Sequence, residues 1–179
     1  DETEVIARVG FLNTGPEQVP GLIVMTLSDE EGSVDRLREK IVVLFNATDE
    51  PQLFPAASLA DYDFFLHEVQ QGSLDPVVGT ASWDGGTTAF SVPARTTAVF
   101  VAARSVEDQI GLLIDDVNQL RDTGVLNGGQ ATSLTVKLDT ALARLAKGQL
   151  KTAANLLAAF INEVEDFVAD GILTADEAA

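Results

Sequence analysis

The run Thr97-Ala98-Val99-Phe100-Val101-Ala102-Ala103-Arg104-Ser105-Val106-Glu107-Asp108-Gln109-Ile110-Gly111-Leu112-Leu113-Ile114 crosses a change of pattern. Up to Ala102 it reads as a strand, with β-branched and aromatic residues close together. After Ser105, apolar residues recur every three or four positions, as they do on one face of a helix. Ser105 suits the N-cap of that helix, and Asp108 three residues on favours the positive end of its dipole.

The composition changes at the same place. Residues 1–103 hold seven of the nine Phe, all six Pro and the sole Trp, Tyr, His and Met, whereas residues 104–179 hold twelve Ala and regularly spaced Leu. The reading is β plus α in two domains, a β half over 1–103 and an α half over 104–179. A chain of 179 residues with 46% hydrophobic and 22% charged content has enough apolar material for two small cores.

In the β half, the runs Val5–Leu12, Gly21–Leu27, Ile41–Phe45, Tyr62–Val69, Val77–Trp83, Thr87–Val92 and Thr97–Ala102 read as six to seven strands. Turn-forming clusters divide them, among them Asp84-Gly85-Gly86, where glycine supplies the positive φ of a tight hairpin. Short strands at this spacing predict an antiparallel β-sandwich.

In the α half, three stripes predict amphipathic helices: Ile110, Leu113, Ile114, Val117 and Leu120; Leu134, Leu138, Ala141, Leu142 and Leu145; and Ala153, Ala154, Leu157, Phe160, Ile161, Val164, Phe167 and Val168. Gly124, Gly148 and Gly171 stand where these helices should stop in left-handed caps. A shift of 47 residues superposes Leu113-Ile114 through Gly124-Val125-Leu126 on Phe160-Ile161 through Gly171-Ile172-Leu173. It also superposes Asn127 and Gln130 on Thr174 and Glu177, both with the chemistry of a capping box. A three- to four-helix bundle follows. The second box is expected to open a fourth helix that is cut short or ends after one turn.

Charge excludes some partners. Eleven Lys and Arg against 28 Asp and Glu give a net charge of -17, so no broad basic face is expected for nucleic acid or an anionic membrane surface. The longest mostly apolar stretch, Ala153 to Ile161, falls far short of the ~20 residues that span a bilayer. Without cysteine there are no disulfides, thiolate metal sites or cysteine nucleophiles, and His67 is the sole imidazole. The opening Asp1-Glu2-Thr3-Glu4, lacking Met and any leader pattern, suggests an excised piece of a longer polypeptide.

The segment Arg8-Val9-Gly10-Phe11-Leu12-Asn13-Thr14-Gly15-Pro16-Glu17-Gln18-Val19-Pro20-Gly21-Leu22-Ile23-Val24-Met25 resembles the region after the catalytic barrel of pullulanase-type α-1,6-glucosidases. Ile41-Val42-Val43-Leu44-Phe45-Asn46-Ala47-Thr48, Leu66-His67-Glu68-Val69-Gln70 and Val92-Pro93-Ala94-Arg95-Thr96-Thr97-Ala98-Val99-Phe100-Val101 continue the likeness in order. Glu68 departs from it, standing where that family usually has Pro. The helical half is similar to a small all-α domain at the C-termini of secreted bacterial proteins. The resemblance implies an upstream (β/α)8 barrel, in the same polypeptide, whose carboxylates hydrolyse α-1,6 bonds of pullulan and branched starch. A barrel of ~250 residues cannot fit in this chain, so no catalytic, substrate-binding or metal residue is assigned to it. An extracellular, bacterial parent is implied too.

The remaining chemistry-bearing residues each have a structural reading. Asp61 and Asp63, around Tyr62, read as one edge of a strand, a placement that cannot flank a sugar as a glycosidase pair must. His67, in an apolar run, reads as a partly buried side chain satisfied by a carbonyl rather than a metal ligand. Trp83 with Tyr62, Phe64 or Phe65 offers either a sugar-stacking platform or sandwich core, and core is preferred. Asp115, Asp116, Asn118 and Asp122 loosely match a calcium loop but follow a helical stripe, so a solvated helix face is preferred. Asp29-Glu30-Glu31 with Asp35 is the other place where loop carboxylates could take Ca2+. Asn13-Thr14-Gly15-Pro16 has turn chemistry, and Arg95 suits a salt bridge to the barrel or to a nearby carboxylate.

Three functions compete on this reading. The chain is a non-catalytic accessory region bracing a debranching barrel, in which case the sandwich exposes an apolar patch where the barrel docks. Alternatively it is an independent module that binds α-glucan through Trp83 or Tyr62, or an assembly element that self-associates through the open helical half.

Overall fold

In a computed structural model, which describes residues 2–178, the chain divides into two compact units, 1–104 and 105–179. The first begins with a short helix α1 (Glu2–Arg8) and contains eight strands: β1 (Val9–Phe11), β2 (Leu22–Ser28), β3 (Arg38–Asn46), β4 (Gln52–Pro55), β5 (Phe64–Leu66), β6 (Ser82–Asp84), β7 (Ala89–Val92) and β8 (Thr96–Ala103), with helix α2 (Glu68–Gln71) after β5. They form two antiparallel sheets, β1-β2-β3-β8-β5 and β4-β7-β6, so the β-sandwich expectation holds.

Alternation of side chains builds the core. Leu22 and Val24 of β2, Val42 and Leu44 of β3, and Ala98, Phe100 and Ala102 of β8 are buried together with Phe54, Phe90 and Val92 of the smaller sheet. Phe90, in the central strand of that sheet and fully buried, touches the rings of Phe100 (4.9 Å between centroids), Phe64 (5.3 Å) and Trp83 (4.4 Å).

The strands differ from the sequence reading in four places. The expected strand Val5–Leu12 is helical through Arg8, because β2 ends at Ser28 and offers no backbone partner before the Val9–Leu27 pair. The expected strand Tyr62–Val69 shrinks to Phe64–Leu66, since His67 caps α2. Most of Val77–Trp83 is a 3-10 turn over Val78–Thr80, leaving β6 only at Ser82–Asp84. Strand β4 is additional. Pro51 and Pro55 disguise it, and both are tolerated because β4 is an edge strand.

The second unit holds α3 (Val106–Asp122), α4 (Gly128–Leu145) and α5 (Leu150–Ala169). All three expected stripes contribute to its core, with Ile110, Val117, Leu134, Leu138, Ala141 and Phe160 buried. Gly124, Gly148 and Gly171 have φ of 81°, 67° and 70°, as their capping role requires. The 47-residue repeat holds in its caps and its reciprocal capping bonds. Leu126 and Leu173, both buried, each donate an amide to the carbonyl six residues back, Leu120 and Phe167. The Asn127 and Thr174 amides donate to Gln130 Oε1 (2.9 Å) and Glu177 Oε2 (2.8 Å), and the Gln130 and Glu177 amides donate back to the cap side chains at 3.0 and 3.2 Å. The first box opens α4; the second, among the described residues, opens a turn over Thr174–Ala178.

Two partly buried ionic clamps lock the units internally. Oδ2 of Asp29 accepts the Val34 and Asp35 amides at 2.8 and 2.7 Å, and Oδ1 pairs with the Arg8 guanidinium. Burial opposes the charge on Asp29, but the two amide donors and Arg8 outweigh it and hold the carboxyl below its ordinary range. Lys137 of α4 reaches Glu163 of α5 at 2.5 Å and the Ser133 hydroxyl at 2.9 Å. There too the burial penalty is exceeded, and Glu163 is lowered.

Asp29→Ala strands two amide donors and a guanidinium, so a loss of about 1–3 kcal/mol is expected in urea unfolding followed by the single Trp, which reports on the sandwich. A lowered folded-state carboxyl stabilises above its unfolded pKa of about 3.9 and ceases to do so as pH falls through the folded value. The gap between wild type and Asp29→Ala should therefore be full at pH 7 and narrow below about pH 4. Lys137→Met should lower helical stability at pH 7 by about 1–2 kcal/mol, read as the thermal loss of far-UV dichroism, and Glu163→Gln in the same chain should recover part of it.

Candidate functional site

Strand β3 carries apolar residues on both faces, and this creates the site. Val42 and Leu44 point into the sandwich, so Ile41, Val43 and Phe45 point out. Register extends the outer face across the sheet: Phe11 opposite Met25, Met25 opposite Val43 and Val43 opposite Val99 make one row; Ile23 opposite Phe45 begins the next. Another row runs Val9, Leu27, Ile41, Val101 and Phe65. Thr97, opposite Phe45, is the polar residue in these rows; the others named are apolar. Val43 and Val101 are buried, but Phe11, Ile23 and Phe45 are 54%, 53% and 38% exposed and share one corner.

That corner is a shallow apolar pocket of about 510 Å³, lined by Phe11, Asn13, Val19, Ile23, Phe45 and Ala47. Its rim is rigid. Asn13 donates to the Val19 and Leu22 carbonyls at 2.9 and 2.5 Å and accepts the Val19 amide at 2.8 Å, which closes the loop from Thr14 to Val19. Gly15 and Gly21 take φ of 90° and 76°, and a Cβ on Gly21 would lie 2.7 Å from Thr48 Cγ2. The turn chemistry expected of Asn13-Thr14-Gly15-Pro16 thus shapes an edge of the pocket.

On the other side, buried Asn46 donates to the Glu50 and Pro93 carbonyls at 2.9 and 2.8 Å and accepts from the Thr48 amide and hydroxyl at 3.0 and 2.7 Å. It links the end of β3 to the end of β7. At the far edge of the large sheet, Gln70 of α2 accepts the Val99 amide at 2.7 Å and donates to the Thr97 carbonyl at 2.9 Å. Its amide group stands in for a strand residue where β5 has ended. Neither residue was marked by the sequence reading, since a single amide side chain leaves no periodic signal; each lies within a quoted block.

The sequence-singled residues fall as follows. Asp61 and Asp63 are exposed, but they lie in the turn before β5 and not on a strand edge, because the Tyr62 amide bonds back to Leu59 and pairing starts at Phe64. His67 is the N-cap of α2, its Nδ1 accepting the Val69 amide at 3.3 Å, so it accepts from a backbone amide rather than donating to a carbonyl. Glu68 is the first residue of α2, a position where Pro is equally at home, which accounts for the departure noted there. Its carboxylate meets Arg38 at 3.1 Å.

Trp83 is partly buried against Phe64 (5.3 Å) and Phe90 in the core, and Lys40 sits 4.5 Å over the Tyr62 ring; Phe65 is on the outer face. The hairpin at Asp84-Gly85-Gly86 is closed by Asp84, whose Oδ1 accepts the Gly86 amide at 2.9 Å and whose Oδ2 accepts the Thr87 hydroxyl at 2.8 Å. The positive φ falls on Thr88, not on either glycine. Arg95 also has positive φ, 51°, and pairs with Asp49, the nearby carboxylate. Asp115, Asp116, Asn118 and Asp122 lie on α3. Asp35 accepts the Leu37 and Arg38 amides at 2.9 and 3.0 Å, and the cation facing Asp29 is Arg8. Among the described residues, no three His, Cys, Asp or Glu side chains cluster as a metal site would require, and no helix is long and apolar enough to cross a membrane.

Residues 1–103 match the family of α-1,6-glucosidases, pullulanase-type, C-terminal, and residues 110–179 match the FIMAH domain. Pullulanase 1, chloroplastic, from Arabidopsis thaliana is 40% identical over 104 residues, which cover 55% of this chain and 11% of that protein. Ligand-free PulA from Klebsiella pneumoniae is similar at 29% identity and a TM-score of 0.49, over 55% of this chain and 10% of that one. The maltotriose complex of PulA from the same organism is 30% identical with the same TM-score, over 55% and 11%. The chain thus spans about a tenth of the length of these relatives. With the outer sheet face, its clamped rim and the family match all falling within residues 1–103, the chain belongs to the pullulanase-type α-1,6-glucosidase C-terminal family.

Proposed function

We propose that this chain is the non-catalytic C-terminal region of a starch- and pullulan-debranching glycoside hydrolase, and that the Phe11, Ile23 and Phe45 corner seats the catalytic barrel of the same polypeptide. The carrying observation is the exposed apolar corner itself. A solvent-facing sheet surface is normally polar at alternate positions, whereas here the rows that lead to the corner are apolar apart from Thr97, which lies beside Phe45 on β8. The clamped Asn13 loop supports the reading, because a rigid rim loses little entropy on docking.

The parent is inferred to be bacterial and secreted. That part rests on the helical half and its likeness to domains of secreted bacterial proteins; the sandwich does not carry the address, since its plant relative is named as chloroplastic.

Native material should have a mass far above 18.9 kDa and release oligosaccharide from pullulan, while the isolated chain should release none. In a polypeptide carrying both barrel and sandwich, Ile23→Asp with Phe45→Asp should lower the temperature at which hydrolysis is lost. The same pair should destabilise the isolated chain only modestly, by about 1 kcal/mol per site, because both residues are already partly in contact with solvent. Equal destabilisation of both would sink the docking role.

A direct glucan-binding role predicts that maltotriose perturbs Trp83. Its packing against Phe64 and Phe90 predicts the reverse: emission from the isolated chain stays unchanged by maltotriose and resists quenching by iodide.

A further inference from the structure

The helical unit has an apolar groove of about 640 Å³ between α3 and α5. Its floor and walls include Ile110 and Leu113 of α3 and Phe160, Ile161, Val164 and Val168 of α5. Helix α4 packs against both neighbours and leaves this side open. Ile161 is 52% exposed and Val106, at the groove's end, is 50% exposed.

The repeat gives the shape of what fills the groove. In the first copy the capping box of Asn127 and Gln130 opens α4, whose Ala131, Leu134, Leu138 and Ala141 cover α3. In the second copy the equivalent box opens the turn containing Ala175 and Ala178, and both of these residues line the groove. The position over α5 that corresponds to α4 over α3 is therefore the groove, and its complement is a helix. Along α5 the lining runs from Leu157 to Val168, a rise of about 16 Å, or roughly three helical turns.

Charge selects the kind of helix. The walls, Val106–Leu120 and Leu157–Ala178, contain ten Asp and Glu, of which Glu163 is already paired with Lys137 of α4, and no Lys or Arg. Glu165 is exposed and itself lines the groove. The five cations of the unit, Arg121, Lys137, Arg144, Lys147 and Lys151, all lie outside these walls. The geometry points to a partner protein that presents a cationic amphipathic helix, its apolar stripe seated on Ile110, Phe160 and Ile161 and its Lys or Arg residues facing Glu165 and the acidic walls. A second copy of this chain is a poor occupant, since its own net charge is -17.

The test uses the full chain and three labelled 18-residue peptides: Leu and Lys placed so that Leu falls at i, i+3, i+4 and i+7, the same composition scrambled, and the patterned peptide with Glu for Lys. Fluorescence anisotropy should show saturable binding of the first, at least tenfold weaker binding of the other two, and at least a tenfold loss with Ile161→Asp. Glu165→Lys should weaken the cationic peptide while dichroism shows the helices intact. Equal binding of the scrambled peptide, equal binding of the acidic one, or indifference to Ile161→Asp would overturn the proposal. So would a concentration-dependent dimer, seen in sedimentation, that Ile161→Asp dissolves, because the occupant would then be a second copy.

Discussion

A β-strand that is apolar on both faces needs cover on both, and β3 is such a strand. Its Val42 and Leu44 are satisfied by the smaller sheet, and the buried cluster around Phe90 and Phe100 depends on that closure. Its Ile41, Val43 and Phe45 face the other way, where the small sheet cannot cover them, and Phe45 stays exposed. Leaving apolar area in water costs about 25 cal/mol per Å², so a face of this kind is retained where something binds to it. The fold and the candidate site are thus two consequences of one strand.

A surface that binds another body must also hold its shape, and here polar side chains do that. Asn13 fixes the loop beside Phe11, Asn46 ties β3 to the end of β7, and Gln70 continues the edge of β8 after β5 stops. Asp29 gathers Arg8 and two amides, while its own carbonyl accepts from buried Arg104. Each clamp satisfies backbone groups that lie outside regular pairing, where an unmet donor costs 1–3 kcal/mol. The sandwich is consequently stiff in its loops as well as its strands.

These differences explain what the sequence could and could not disclose. Periodic features were legible: the α3, α4 and α5 stripes, the glycine caps, the two capping boxes, the strand runs that became β2, β3 and β8, and the composition break at Arg104. An exposed apolar patch on the sandwich was expected in kind but not in place, because only register sets Phe11, Ile23 and Phe45 side by side. Features decided by a distant partner were not legible. Helix α1 replaces strand because β2 runs out; β4 hides between two prolines; Thr88 bears the positive φ that Gly85 and Gly86 seemed to invite, since Asp84 closes that hairpin with its side chain. Asn46 and Gln70 escaped notice for the same reason.

The two unsatisfied apolar surfaces have different physical demands. The corner on the sheet is shallow, rigid and flanked by polar loops. It suits a preformed surface tethered to it, for which the effective concentration is already high and modest area suffices. The groove between α3 and α5 is concave, about one helix long and set among carboxylates. A free partner must find such a site by diffusion, and a one-signed field raises that encounter rate while excluding acidic competitors. Charge is therefore uninformative for the first surface and selective for the second, which is why the acidic composition of the chain argues about partners only once the groove has been located.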